Sequence, residues 1–167
     1  MHGITPIVTA SIASDDKSQL YADLRTAAGA LVSNEPDPIA NMANVTALIW
    51  HYLSDLNWAG FYRLVDGELI LGPFQGRPAC TRIPLGAGVC GTAAATRTTQ
   101  CVHDVTTFPG HIACDTASAS EVVVPIIHEG RLIGVLDLDS PHIGRFDEAD
   151  AKDLETLSAA IAPALAG

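Results

Sequence analysis

Leu20, Leu24, Ala28 and Leu31 recur at helical spacing and predict a helix over 15–33. The turn residues of "NEPDP" end it. Asp37 then stands as the cap of a second helix, with Pro38 at its first position. The core stripe of that helix is Val45, Leu48, Ile49, Tyr52, Leu53 and Leu56. Beyond it the period changes from helical to alternating. "WAGFYRLVDGELILGPF" is two apolar runs around Asp66-Gly67, a hairpin signal. "GRPACTRIPLGAGVCGTAAAT" is Gly-rich and then Ala-rich, and reads as a loop entering a short helix near Val89. "TQCVHDV" reads as a short strand, and "EVVVPIIHEGRLIGVLDLDS" as a second hairpin turning at Glu129-Gly130. Leu154, Leu157, Ile161 and Leu165 predict a closing amphipathic helix capped by Asp147. Hairpins imply an antiparallel sheet that the outer helices can cover, which gives an α+β class. Residues 1–14 read as a flexible arm, and 15–167 as one domain. The chain has no internal repeat and no low-complexity linker.

Composition narrows the function. Of 167 residues, 48% are hydrophobic and 17% charged, the balance of a chain with a real core. Net charge is −10 and no basic cluster stands out, so neither nucleic acid nor an anionic membrane surface is an expected partner. No apolar run approaches the roughly 18 residues of a membrane span. The weakly apolar start carries no Lys or Arg before it and does not resemble a secretion signal, so a cytoplasmic setting is expected. There, four cysteines read as working thiols or buried spectators rather than structural disulfides.

The cysteines are at positions 80, 90, 101 and 114, with no Cys-x-x-Cys pair, and the six histidines form no metal-ligand pair at helical spacing. No metal or other cofactor is expected. Cys80 and Cys114 lie in loops, and Cys90 lies where a helix begins, where backbone N–H groups are expected to favour its thiolate. Cys101 falls in a strand pattern, where a packed small residue is the simpler reading. His111, three residues before Cys114, is placed either to polarise that thiol or to hold its loop. Asp137 and Asp139 alternate with Leu136 and Leu138, so both carboxylates share one strand face. Trp58 and Tyr62 share one face of their strand, with Phe61 on the other. They form either a core wall or the wall of a ligand pocket. The glycines of "PLGAGVCG" lack the Gly-Lys-Ser/Thr of a phosphate loop.

Glu121 begins the partner strand of Asp137 and Asp139. A two-residue turn at Glu129-Gly130 pairs His128 with Arg131 and carries Glu121 opposite Leu138, on the face away from both aspartates. Convergence of the three carboxylates therefore requires a one-residue slip, at Pro125 or through a longer turn bulged at Gly130.

"NWAGFY", "LGPFQGRPACTRIPLGAGVCGTAA", "FPGHIACDTASASEVVVPI" and "GVLDLDSP" together resemble the free methionine-(R)-sulfoxide reductases, small stand-alone GAF-domain enzymes. The resemblance runs from about Val45 to Ala160. It implies a single GAF-like α+β domain, a central antiparallel sheet of about six strands with helices packed on it. The implied substrate is free methionine sulfoxide, R at sulfur. Cys114 matches the family's sulfoxide-attacking cysteine. Cys80 and Cys90 match those that resolve its sulfenic acid, with Cys80 the preferred partner. Glu121 and Asp139 are the implied proton donors, and Asp137 the partner of the substrate ammonium. Backbone N–H groups of Ile112, Ala113 and Cys114 are expected to meet its carboxylate, with Trp58 and Tyr62 along its apolar part. Thioredoxin is the expected reductant and a homodimer the expected assembly. The competing reading is a GAF-type sensor that binds a small molecule without catalysis.

Overall fold

The computed structural model describes residues 16–167, and the expected N-terminal arm lies outside the described residues. Helix α1 (Lys17–Val32) starts at Asp16, whose side chain accepts from the N–H groups of Ser18 and Gln19. Helix α2 (Pro38–Tyr52) starts at Asp37, which accepts from Ala40 N, with Pro38 in the first turn as expected. Strands β1 (Trp58–Val65) and β2 (Glu68–Gly76) form the first hairpin. Strands β5 (Ser120–His128) and β6 (Arg131–Ser140) form the second. Asp66 and Gly67 turn with φ of 50° and 80°, and Glu129 and Gly130 with 50° and 75°. Both are left-handed pairs that match the twist of the flanking strands.

Between the hairpins come β3 (Arg82–Pro84), α3 (Gly88–Thr96) and β4 (Gln100–Val102). A 3₁₀ turn follows at Val105–Thr107. The sequence pattern predicts no strand at β3. It is a three-residue edge strand with only Ile83 buried, too short to show alternation. The six strands are antiparallel throughout, in the order β3-β2-β1-β6-β5-β4.

The two sheet faces have different coverings. α1, α2 and α4 (Glu148–Leu165) pack with Phe61, Val122, Val124, Ile126, Leu136 and Leu138. The other face holds Trp58, Tyr62, Val123 and Val135, with Cys90 and Ala93 of α3 above them. Full burial of one Leu or Phe contributes about 1.5–3 kcal/mol. Leu136 and Leu138 thus fix which side of β6 meets the helices, and strand alternation sends Asp137 and Asp139 to the α3 side. α4 is anchored by a capping box between Asp147 and Asp150. Buried Asp150 also accepts from Tyr21 Oη at 2.8 Å and Lys17 Nζ at 2.9 Å, which ties α1 to α4. No helix among the described residues is long and apolar enough to cross a membrane.

Candidate active site

The face of the sheet away from the three helices is roofed by α3 and by two loops, and a pocket lies beneath them. Its floor is Glu121 of β5 with Asp137 and Asp139 of β6. Trp58 and Tyr62 of β1 form one wall. Cys90 descends from α3, and His111, Ile112, Cys114, Asp115 and Ser118 come from the loop before β5.

Register brings the carboxyls together. His128 pairs with Arg131 and Ile127 with Leu132, as a two-residue turn demands. The register then shifts between Ile126 and Ile127, so that Ile126 pairs with Gly134 and Glu121 with Asp139. The required slip is present, but neither at Pro125 nor at Gly130. The extra residue is Ile133 on β6, next to Gly134, which lies against the backbone of Tyr62 and has no room for a Cβ.

The thiol of Cys90 donates to Asp137 Oδ2 at 3.2 Å and more distantly to Glu121 Oε1 at 3.9 Å. Burial, and then the charge of its carboxyl neighbours, holds Glu121, Asp137 and Asp139 protonated well above the usual carboxylate range. Oδ1 of buried Asp137 has no hydrogen-bond partner among the described residues. One ligand atom each from Cys90, Glu121 and Asp137 lie within 4.8 Å of one another. That closeness is common to any hydrogen-bonded thiol–carboxyl cluster and names no ion.

The expectation for Cys90 is reversed in one respect. It occupies the first turn of α3, but it is buried and faces acids. Desolvation, followed by Asp137 and Glu121, pushes its thiol well up rather than toward thiolate.

Cys80 and Cys114 are joined by a disulfide, with Cα atoms 5.4 Å apart. Tyr62 Oη donates to the carbonyl of Cys80 at 2.9 Å, so the aromatic wall also holds one partner of the bridge. Trp58 stacks between Tyr62 and Phe74 at centroid distances of 5.8 and 5.3 Å and donates Nε1 to the carbonyl of Arg77. The Cys114 loop is tied down from below by Asn57. Its Nδ2 donates to Asp115 Oδ2 at 3.1 Å and Ser118 Oγ at 3.0 Å, and its N–H donates to the carbonyl of Asp139. Asn57 and Asp115 both sit inside the quoted motifs, but neither carries a sequence signal that sets it apart from the neighbouring thiols and aromatics.

The fold therefore gathers Cys114, Cys90, Glu121, Asp137, Asp139, Trp58, Tyr62 and Ile112 around one pocket, and Cys80 reaches it through its bond to Cys114. Two expectations change. Ala113 is exposed and does not line the pocket. The N–H of Cys114 is occupied by the carbonyl of Ile112 at 3.0 Å, which leaves Ile112 as the lining member of that trio whose N–H has no partner among the described residues. Cys101, on β4, pairs with Val122 of β5 and points to the opposite face, toward the carbonyl of Phe146. Burial pushes its thiol up to about 11.

A family model described as "GAF domain" matches residues 40–166. The free methionine-R-sulfoxide reductase of Escherichia coli is 50% identical over 151 residues, covering 90% of this chain and 92% of that protein. The X-ray structure of free methionine-R-sulfoxide reductase from Neisseria meningitidis, in complex with its substrate, superposes with a TM-score of 0.88 at 44% identity. It covers 92% of each chain. A crystal structure of a putative GAF sensor protein from Burkholderia vietnamiensis is 57% identical, with a TM-score of 0.86, over 88% of this chain and 94% of that one.

Proposed function

The chain belongs to the GAF-domain family of free methionine-R-sulfoxide reductases, and we propose that it reduces free L-methionine-(R)-sulfoxide to methionine through a thiol–disulfide cycle. The observation that carries this reading is the Cys80–Cys114 disulfide at the edge of a pocket floored by three protonated carboxyls. A sensor needs the pocket but has no use for the bridge.

The first step is attack by the reduced Cys114 sulfur on the sulfoxide sulfur. The oxygen must gain a proton as its bond to sulfur breaks, and a carboxyl held neutral by burial is the group that can give one near neutral pH. Glu121 and Asp139, paired across β5 and β6, are the donors. The oxygen passes to Cys114 as sulfenic acid, and the methionine sulfur gains the electron pair. The Cys80 thiol then displaces water and closes the disulfide. One dithiol is oxidised for each sulfoxide reduced.

Asp137 offers its unpartnered Oδ1 to the substrate ammonium, and the N–H of Ile112 is the partner for its carboxylate. Trp58 and Tyr62 pack the methyl and methylene groups. A sulfoxide residue inside a polypeptide lacks both free termini and would leave those polar groups buried and unmet. Cys80 and Cys114 are only half-buried, which supports regeneration by an external dithiol, and thioredoxin is our assignment. We assign a homodimer on the general predominance of symmetric pairs, and a cytoplasmic setting on the reduced state that the cycle needs.

Mixing the prereduced protein with free methionine-(R)-sulfoxide tests the cycle. The result expected is one methionine per chain with two of the four thiols lost. Binding without thiol loss would favour the sensor.

A further inference from the structure

In the proposed reaction Cys114 loses a proton when its sulfur attacks, and Glu121 loses one to the leaving oxygen. The half-reaction converts thiol and sulfoxide into sulfenic acid and sulfide with no net proton released. Something must therefore return to Glu121 a proton equal to the one the thiol gave up.

The carboxyl is poorly placed to do this unaided. Its side chain is 8% exposed, and Cys90 and Asp137 beside it are equally enclosed. Among the described residues, His111 is the one basic side chain lining the pocket, and no lysine or arginine does. Its Nε2 lies 3.4 Å from Glu121 Oε2, its side chain is 16% exposed, and Cys114 lines the same pocket. Desolvation lowers the imidazole below its ordinary 6.5, and burial keeps Glu121 protonated. The two therefore face each other as a neutral base beside a neutral acid.

We propose that His111 carries this proton: it accepts from the Cys114 thiol and returns to Glu121 what Glu121 gave to the sulfoxide oxygen. The inference rests on the reading of function above. Once Glu121 has donated, an imidazolium and a carboxylate stand 3.4 Å apart, and the transfer between them restores the starting neutral pair. The other ionisable groups facing this pair cannot serve. Asp137 and Asp139 on β6, Cys90 on α3 and Tyr62 on β1 are all held in their neutral acid forms, and none can take a thiol proton near neutral pH. Asp115, on the same loop, is engaged with Asn57 and Ala117 N.

The test is the single-turnover rate of methionine release by prereduced parent, His111→Gln and His111→Ala, from pH 5 to 9, with and without imidazole. Both variants should be slowed about 100-fold, within the usual range for a positioned acid–base group. Imidazole should restore His111→Ala several-fold and leave the parent unchanged. The parent rate should fall along an acid limb lying below His111's ordinary 6.5, where a protonated imidazole cannot accept, and His111→Gln should lack that limb. Should His111→Ala fail to fold, the limb in His111→Gln decides alone. Parent-like rates in the variants overturn the proposal. So does slowing that imidazole does not relieve in folded His111→Ala, or a limb that persists in His111→Gln. A parent that releases no methionine overturns the functional reading instead.

Discussion

Glu121 lies directly across the β5–β6 ladder from Asp139, in a register that exists only because Ile133 is extra to the pairing. Without it Glu121 would face Leu138, and a carboxyl would be driven into the helix-side core. The bulge thus converts two alternating strands into a cluster of three acids on one face.

That cluster destabilises the fold, and Glu121→Gln should show it. In the unfolded chain the Glu121 carboxyl ionises near 4.5, while the folded group holds its proton far higher. Above that pH unfolding releases a proton, so stability falls as pH rises from about 4.5 toward the folded value. Glutamine has no such dependence. Melting at pH 8 should show Glu121→Gln more stable by about 3 °C, roughly 1 kcal/mol for a chain of this size, with the gain vanishing near pH 4. Methionine release should fall by about 100-fold or more. A variant less stable than the parent at pH 8 would contradict the buried neutral acid.

The cysteines should separate by step. Cys114→Ser should give no methionine even in a first turnover. Cys80→Ser should give about one methionine per chain and then stall with thioredoxin, because resolution follows the chemical step. Cys101→Ser should match the parent, since its side chain is on the other face of the sheet. Quenched-flow counting of methionine against thiols checks all three. A full first turnover by Cys114→Ser would move the nucleophile to Cys90.

Asn57→Asp should damage the site more than the fold. It would set a carboxylate against Asp115, where an amide now donates at 3.1 Å. We expect a first turnover slowed about tenfold or more, with a melting temperature within about 2 °C of the parent. Equal kinetics would remove Asn57 from the positioning of the Cys114 loop.

Much of this molecule was legible in its sequence because single elements carry their own signals. Asp37-Pro38, Asp66-Gly67 and Asp147 marked ends and turns that the structure keeps. The alternation puts Trp58 and Tyr62 on one sheet face and Phe61 on the other, as the structure has them. What escaped depends on two segments at once. The need for a slip could be deduced from Glu121 and the aspartates, but its position at Ile133 is set by the close approach of Gly134 to β1. The helix position that predicts a thiolate at Cys90 is a local signal, whereas the acidic neighbours that reverse it arrive from β5 and β6. The tether from Asn57 to the Cys114 loop spans 58 residues, and no local pattern announces it.

Asp147→Ala should weaken the anchor of α4. Asp147 accepts from Asp150 N and from Lys17, and those hydrogen bonds lower its carboxyl from 3.8 to about 2. The stabilisation is present above about pH 4 and fades as pH falls toward 2. A lost helix cap costs about 1 kcal/mol, or about 2–4 °C here. Melting curves at pH 7 and pH 2.5 should show the full difference at the first and a clearly smaller one at the second. Unchanged activity at 25 °C is expected.

The central claim is that this pocket reduces the free amino acid sulfoxide, R at sulfur, at the expense of its own thiols. The most direct measurement is turnover, with thioredoxin, its reductase and NADPH, of three substrates side by side: free methionine-(R)-sulfoxide, free methionine-(S)-sulfoxide, and a peptide carrying methionine-(R)-sulfoxide in mid-chain. The account predicts sustained NADPH oxidation with the first and at least about 100-fold less with the other two. Comparable turnover of the free and peptide-bound R sulfoxides, or no turnover of the free R sulfoxide by fully reduced protein, would contradict it.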